Sequence, residues 1–200
     1  MVEPTLTETT KTFGDYVNER FSGVLTHGSH PPDGVACALE AVSQWRGLVW
    51  TDDPRHVGLP DIRSLNDGLW TSDAKRTQAM IPLVEALSGY REWTRARKTA
   101  FRKRIGLETV RQILADLPSL PLAIRDQCRA ARTLAEANAA ARAAGCDADA
   151  YTADCAADAA VIAADATGAT YAGRRVRLMA GTAVLVAACR LWVKAAEETE

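Results

Sequence analysis

Between Ala130 and Ala166, 19 of 37 residues are alanine. Alanine has the highest helix propensity and offers little side chain to pack on a pleated sheet. Such a stretch commits the second half of the chain to helices. It also buries little apolar area per residue, so the core must rest on Leu, Ile, Val, Phe and Trp elsewhere. Those residues recur at helical spacing, and no run of alternating apolar and polar residues marks a strand. The expectation is an all-α fold, a multi-helix bundle with an alanine-rich helical C-terminal half.

Phe13, Tyr16, Val17 and Phe21 predict a short amphipathic helix after a polar tail. Gly23, Gly28, Pro31, Pro32 and Gly34 mark a loop that carries His27 and His30. Asp33 is expected to cap the next helix, with Val35, Ala38, Leu39, Val42 and Trp45 on its inner face and Gly47 at its end. Trp50 to Pro60 reads as loop, and a helix is expected over 60–69. Ser72 or Asp73 caps another helix, with Ala74, Met80, Ile81, Val84 and Leu87 inward and a kink or break at Pro82. A helix over 90–105 is expected to stop at Gly106, and a short one runs to Leu117. Pro118 and Pro121 form the clearest boundary. Beyond it, Gly145 and Asp147 read as a stop and a new cap, and 168–173 as a turn before a last helix near 174–197. The regions are therefore 1–24 (tail and short helix), 25–117 and 118–200, packed as one domain.

Net charge is −1, which gives no global field for nucleic acid or anionic membrane. The five cysteines are scattered and odd in number, with no CxxC pair, so reduced buried thiols are expected. The N-terminus lacks the apolar run of a signal peptide, and Leu178 to Cys189 is too short to span a bilayer. A cytoplasmic protein without a membrane partner is the expectation.

The densest chemistry lies between His27 and Asp67. His30, Glu40, Asp52, Asp53, His56, Asn66 and Asp67 form the candidate binding set. A hard or borderline cation needs three or more converging nitrogen and oxygen ligands. Two loops flanking the Glu40 helix can supply them, and Glu40 can then act as base on a bound water. The plainer reading is that the aspartates cap turns and the histidines face solvent. The spacing is not a standard metal motif, so no metal is assigned and a divalent ion stays one option. No catalytic residue is identified. There is no GxSxG, no P-loop and no GxGxxG.

Two charge patterns compete with that site. Arg91, Arg95, Lys98 and Arg102 run beside Trp93 and Phe101, a composition that can bind single strands by stacking plus phosphate contacts. The plainer reading is a basic helix whose aromatic face is core. Further on, Arg125, Arg129 and Arg132 share one helical row, and Asp147, Asp154, Asp158 and Asp165 another. These rows fit facing helices or two solvated faces.

Leu25–His30 (LTHGSH), GVACALEAV at 34–42, Gly47, Trp50, TDDP at 51–54 and LND at 65–67 resemble an uncharacterised family of phages and actinobacteria. Its pattern runs GAH…GVCVMEAV…GEPWSDHP…SWND. The likeness extends through IPLVEALSG and IGLETVRQILADLPSLP, and covers most of 25–195. Asp53 stands where the family pattern has His, and His56 where it has Cys. The resemblance implies a helical, phage-associated protein and no particular activity. The leading functional expectation is a non-enzymatic interaction or accessory protein with a protein partner. The alternatives are a metal-dependent hydrolase using His30, Glu40 and Asp53, and a binder of a small molecule, nucleotide or nucleic acid using Arg91–Arg104.

Overall fold

The last helix, α9 (Arg174–Glu197), packs most extensively along α5 (Asp73–Ala86), and the other elements gather around that pair. The computed structural model describes residues 11–32, 34–68, 70–117, 120–144 and 174–199, and for 174–181 the backbone alone. Among the described residues every regular element is helical. None is long and apolar enough to cross a membrane.

α1 (Phe13–Phe21) starts where the Thr12 hydroxyl accepts the Asp15 N–H, and it buries Phe13, Val17 and Phe21, a stripe of period four. α2 (Ala38–Trp45) departs from expectation. Its cap is Cys37, whose sulfur accepts the Glu40 N–H while Glu40 accepts the Cys37 N–H. This reciprocal pair is a capping box with a thiol in place of a hydroxyl. Asp33 lies outside the described residues, and Val35, outside the helix, is 45 % exposed. Val42 is buried as expected. Trp45 is only partly so: it packs on Phe13 at 5.4 Å while its indole N–H reaches the Lys11 carbonyl.

The stretch read as loop contains α3 (Pro54–Val57), started by the Asp53 carboxylate accepting the Arg55 N–H. Proline at the first position leaves no donor to waste there. α4 is shorter than expected, Arg63–Asp67. Gly68 follows it because α9 presses close: a Cβ there would lie 2.8 Å from Leu185 Cδ1. α5, capped by Ser72, runs through Pro82 without a break. Met80, Leu83 and Val84 on it and Leu87 just past its end are fully buried, whereas Ala74 faces solvent. Packing of that face outweighs the one hydrogen bond Pro82 cannot donate.

A 3-10 turn at Tyr90–Glu92 precedes α6 (Arg95–Glu108). Gly106 does not stop this helix. It is buried within it, and the chain continues through a π-helical turn (Thr109–Ile113) and a 3-10 turn (Leu114–Asp116). A glycine ends a helix by taking positive φ; here buried Phe101, Ile105, Val110 and Ile113 hold the helical path instead. α7 (Leu122–Ala130) and α8 (Leu134–Ala143) complete the described elements, α8 with a Thr133–Glu136 capping box. Arg132 falls beyond α7, so the three arginines do not form one helical row. Arg125 and Arg129 instead donate to the Ala115 carbonyl, and Arg129 also pairs with Asp116. The aspartate row at 147–165, the stop at 145, the turn at 168–173 and the tail at 1–10 lie outside the described residues.

Buried apolar residues from Phe13 to Ala196 form one core cluster. Cys37, Cys128 and Cys189 are buried in it as thiols, and desolvation pushes the Cys37 and Cys189 thiols up to about 12. Cys146 and Cys155 lie outside the described residues. Asn138 on α8 is 1 % exposed, and among the described residues neither its amide nitrogen nor its oxygen has a hydrogen-bond partner. Replacing it with alanine removes an unsatisfied amide and improves helix propensity. Asn138→Ala is therefore expected to raise the unfolding free energy by about 1–2 kcal/mol. Thermal denaturation checks this; a lower midpoint would mean the amide is hydrogen-bonded in solution.

Candidate functional site

Glu40 lies on α2 with its side chain fully buried. Its Oε1 accepts the His30 backbone N–H at 2.6 Å. Its Oε2 accepts the Cys37 N–H at 2.8 Å and faces His30 Nδ1 at 3.0 Å. Burial alone would raise the carboxyl pKa, but the hydrogen bonds from Cys37 and His30 outweigh it and hold the pKa below its usual value.

The loop between α1 and α2 is thus tied back onto the helix it leads into. Other residues pin it from outside. Thr26 donates through its N–H and its hydroxyl to the Ala36 carbonyl at 2.9 and 3.1 Å. Asn66 accepts the Ala38 N–H and donates to the Thr26 carbonyl, both at 3.2 Å. Asp67 accepts the Gly28 N–H at 2.8 Å and the Asn66 amide at 2.7 Å. Gly28 has φ 81°, so the tip of this loop needs a glycine. Trp50 closes the other side, its indole N–H donating to the His30 carbonyl at 2.7 Å.

His30, Glu40, Asn66 and Asp67 therefore meet in one network, whereas Asp52, Asp53 and His56 do not join them. Among the described residues no three His, Cys, Asp or Glu side chains converge as a metal-ligand set. Asp53 caps α3 and His56 is exposed on it. The order Glu40, His30, Thr26, with His30 Nε2 3.3 Å from the Thr26 hydroxyl, has the sequence of groups of a proton relay. The Thr26 hydroxyl proton, however, is directed to the Ala36 carbonyl, and both Glu40 oxygens are occupied. The network holds a loop; it offers no free base.

Comparison with known proteins gives no match to a family model, a curated protein or a solved structure.

The Arg91–Arg104 segment is sorted differently from its reading as a strip. Phe101 is fully buried, and Trp93 is half-buried against Tyr90 at 5.2 Å and Phe101 at 5.3 Å. The Arg97 guanidinium covers the Trp93 ring at 4.0 Å. Lys98 donates to the Arg91 carbonyl at 2.9 Å, and Arg104 pairs with Glu198. Arg91 and Arg95 are exposed. The aromatic rings expected to stack on bases pack on one another and on the core.

One member of that segment belongs to a feature no local pattern indicated. Arg102 and Tyr90 meet Asp53, Arg55, Asp61 and Arg63 around a polar cleft of about 500 Å³. A second groove, of about 510 Å³, runs between α5 and α9. Its floor includes Ala79, Pro82, Val186 and Val193, and Lys75, Arg190 and Lys194 stand along it. Neither is legible locally, because each joins segments tens of residues apart.

Proposed function

We propose that this protein is a non-enzymatic helical interaction protein, and that it holds an acidic amphipathic helix of a protein partner in the α5–α9 groove. The groove carries the reading. It presents an apolar floor beside three cationic side chains, with Glu197 the one acid among the described residues that line it. Val186 to Glu197 covers about three helical turns, roughly 16 Å, a length suited to a docked helix. Acidic residues flanking the apolar stripe of such a helix would meet Lys75, Arg190 and Lys194. The resemblance of the 25–67 motif run to a phage and actinobacterial family supports a phage or host protein as the partner.

The hydrolase alternative is supported less well. It needs Glu40 as base, and both Glu40 oxygens already accept hydrogen bonds in a site closed to solvent. The test is fluorescence anisotropy with a labelled acidic amphipathic helical peptide and a charge-reversed copy. Saturable binding of the acidic peptide is expected, weakened roughly tenfold or more by Val193→Glu and by Lys194→Glu. Equal affinity for both peptides, or affinity indifferent to both substitutions, would remove the groove from consideration.

A further inference from the structure

The cleft beside α3 is built from four parts of the chain. α3 gives Arg55, the approach to α4 and its first residue give Asp61 and Arg63, the 3-10 turn gives Tyr90, and α6 gives Arg102. Asp61 and Arg63 neutralise each other: Arg63 Nε lies 2.9 Å from Asp61 Oδ1, and Nη2 pairs with the other oxygen. Burial would raise the Asp61 pKa, but its hydrogen bonds from Arg63 outweigh this and keep it low, so the carboxylate remains committed to Arg63. Asp53 accepts the Arg55 backbone N–H at 2.9 Å, and the charge of the Arg55 guanidinium helps keep the Asp61 pKa low. Among the described residues Arg102 makes one hydrogen bond, to the Tyr90 hydroxyl oxygen at 3.0 Å.

That bond fixes the role of Tyr90. The ring is 6 % exposed, the oxygen accepts from Arg102, and the hydroxyl proton is left to be donated. Among the described residues neither the Arg55 nor the Arg102 guanidinium is hydrogen-bonded to a carboxylate, and the Tyr90 O–H stands beside them as an oriented donor. Pro54, Leu59 and Pro60 line the same cleft and supply apolar wall. Three arginines against two aspartates leave an excess of one positive charge. Planar guanidinium groups suit the tetrahedral face of a phosphate better than a point charge does.

We infer that this cleft binds a single phosphate group, free or borne by a phosphorylated ligand, with Arg55 and Arg102 as its cationic ligands and Tyr90 as a hydroxyl donor. The site is separate from the α5–α9 groove and does not depend on it. The two aspartates limit the charge the cleft can take: with an excess of one positive charge it suits one phosphate rather than several.

The experiment is isothermal titration of the full chain with inorganic phosphate, adenosine monophosphate and a phosphoserine peptide, at fixed ionic strength. Single-site binding of at least one probe is expected. Arg55→Ala and Arg102→Ala should each weaken it roughly tenfold or more. Both residues are exposed, so both variants keep the fold, and their thermal midpoints verify that. Tyr90→Phe should weaken binding while leaving the ring packing intact. The probe that binds most tightly assigns the source as free phosphate, a nucleotide or a phosphoprotein. Arg190→Ala, in the other groove, should change nothing. No binding of any probe at millimolar concentration would overturn the inference, as would equal losses in Arg190→Ala and the two cleft variants.

Discussion

Glu40→Ala is expected to lower the unfolding free energy by about 3–5 kcal/mol, since each donor left buried without its acceptor costs roughly 1–3 kcal/mol. Three donors lose their acceptor at once: His30 N–H, His30 Nδ1 and Cys37 N–H. The first holds the loop, and the last belongs to the start of α2. Water cannot replace the carboxylate without opening a core that includes Ala36, Leu39 and Val42. Glu40→Gln should cost less, because its amide keeps one oxygen acceptor but turns an NH₂ toward one of the donors. Urea unfolding at neutral pH measures both, and an unchanged Glu40→Ala midpoint would sink the account.

The same carboxylate sets an acid limit, and its sign follows from the direction of the pKa shift. The folded pKa lies below the unfolded one, which is ~4.3. The protonated form binds less well to the fold, so this contribution is complete above the unfolded value. It disappears as pH falls through the folded value. A pH series should show wild type losing more stability than Glu40→Gln in that acid window.

Phe101→Ala is the second large effect, also about 3–5 kcal/mol, the cost of emptying a buried aromatic position. Phe101 is fully buried. Its ring contacts Trp93 at 5.3 Å, Trp192 at 5.9 Å and Tyr90 at 6.1 Å, edge-on in each case. It therefore joins α6, the preceding 3-10 turn and α9. Removing it should also release Trp93 and Trp192, so near-ultraviolet circular dichroism should weaken along with the denaturant midpoint. Trp93→Ala should cost less, since that ring is only half-buried. A larger loss from Trp93 than from Phe101 would contradict this packing.

Periodicity made the helices legible where one face is buried: Phe13, Val17 and Phe21 on α1, and Met80 and Val84 on α5 with Leu87 just past its end. The Ser72 cap was legible because a hydroxyl before a helical run is a common acceptor. The start of α2 was not, because Asp33 is a better acceptor by type than the Cys37 sulfur. The usable signal was Glu40, three residues after Cys37. Gly106 misled because a glycine's effect depends on its φ, which packing decides. The approach of His30 to Glu40 was open to reasoning from a glycine-rich loop beside a helix. The cleft around Arg102 was not, because Asp53 and Arg102 share no local pattern. Their meeting depends on how α3 and α6 are placed in the fold.

The α5–α9 contact also has a consequence in time. The Thr71 N–H donates to the Thr182 hydroxyl across a separation of 111 residues in sequence. Leu185, Ala188 and Trp192, on the same helix, complete the core. During synthesis at ~5–20 residues per second, α5 leaves the ribosome roughly 5–20 s before its partner helix exists. For that interval Phe101 lacks the Trp192 ring, and Ala79 and Pro82 lack the helix that lines the far side of their groove. The long closure also raises contact order and slows the last folding step relative to the local pairing of α1 with α2. The growing chain thus presents an apolar helix face to chaperones and to other nascent chains until α9 arrives to occupy it.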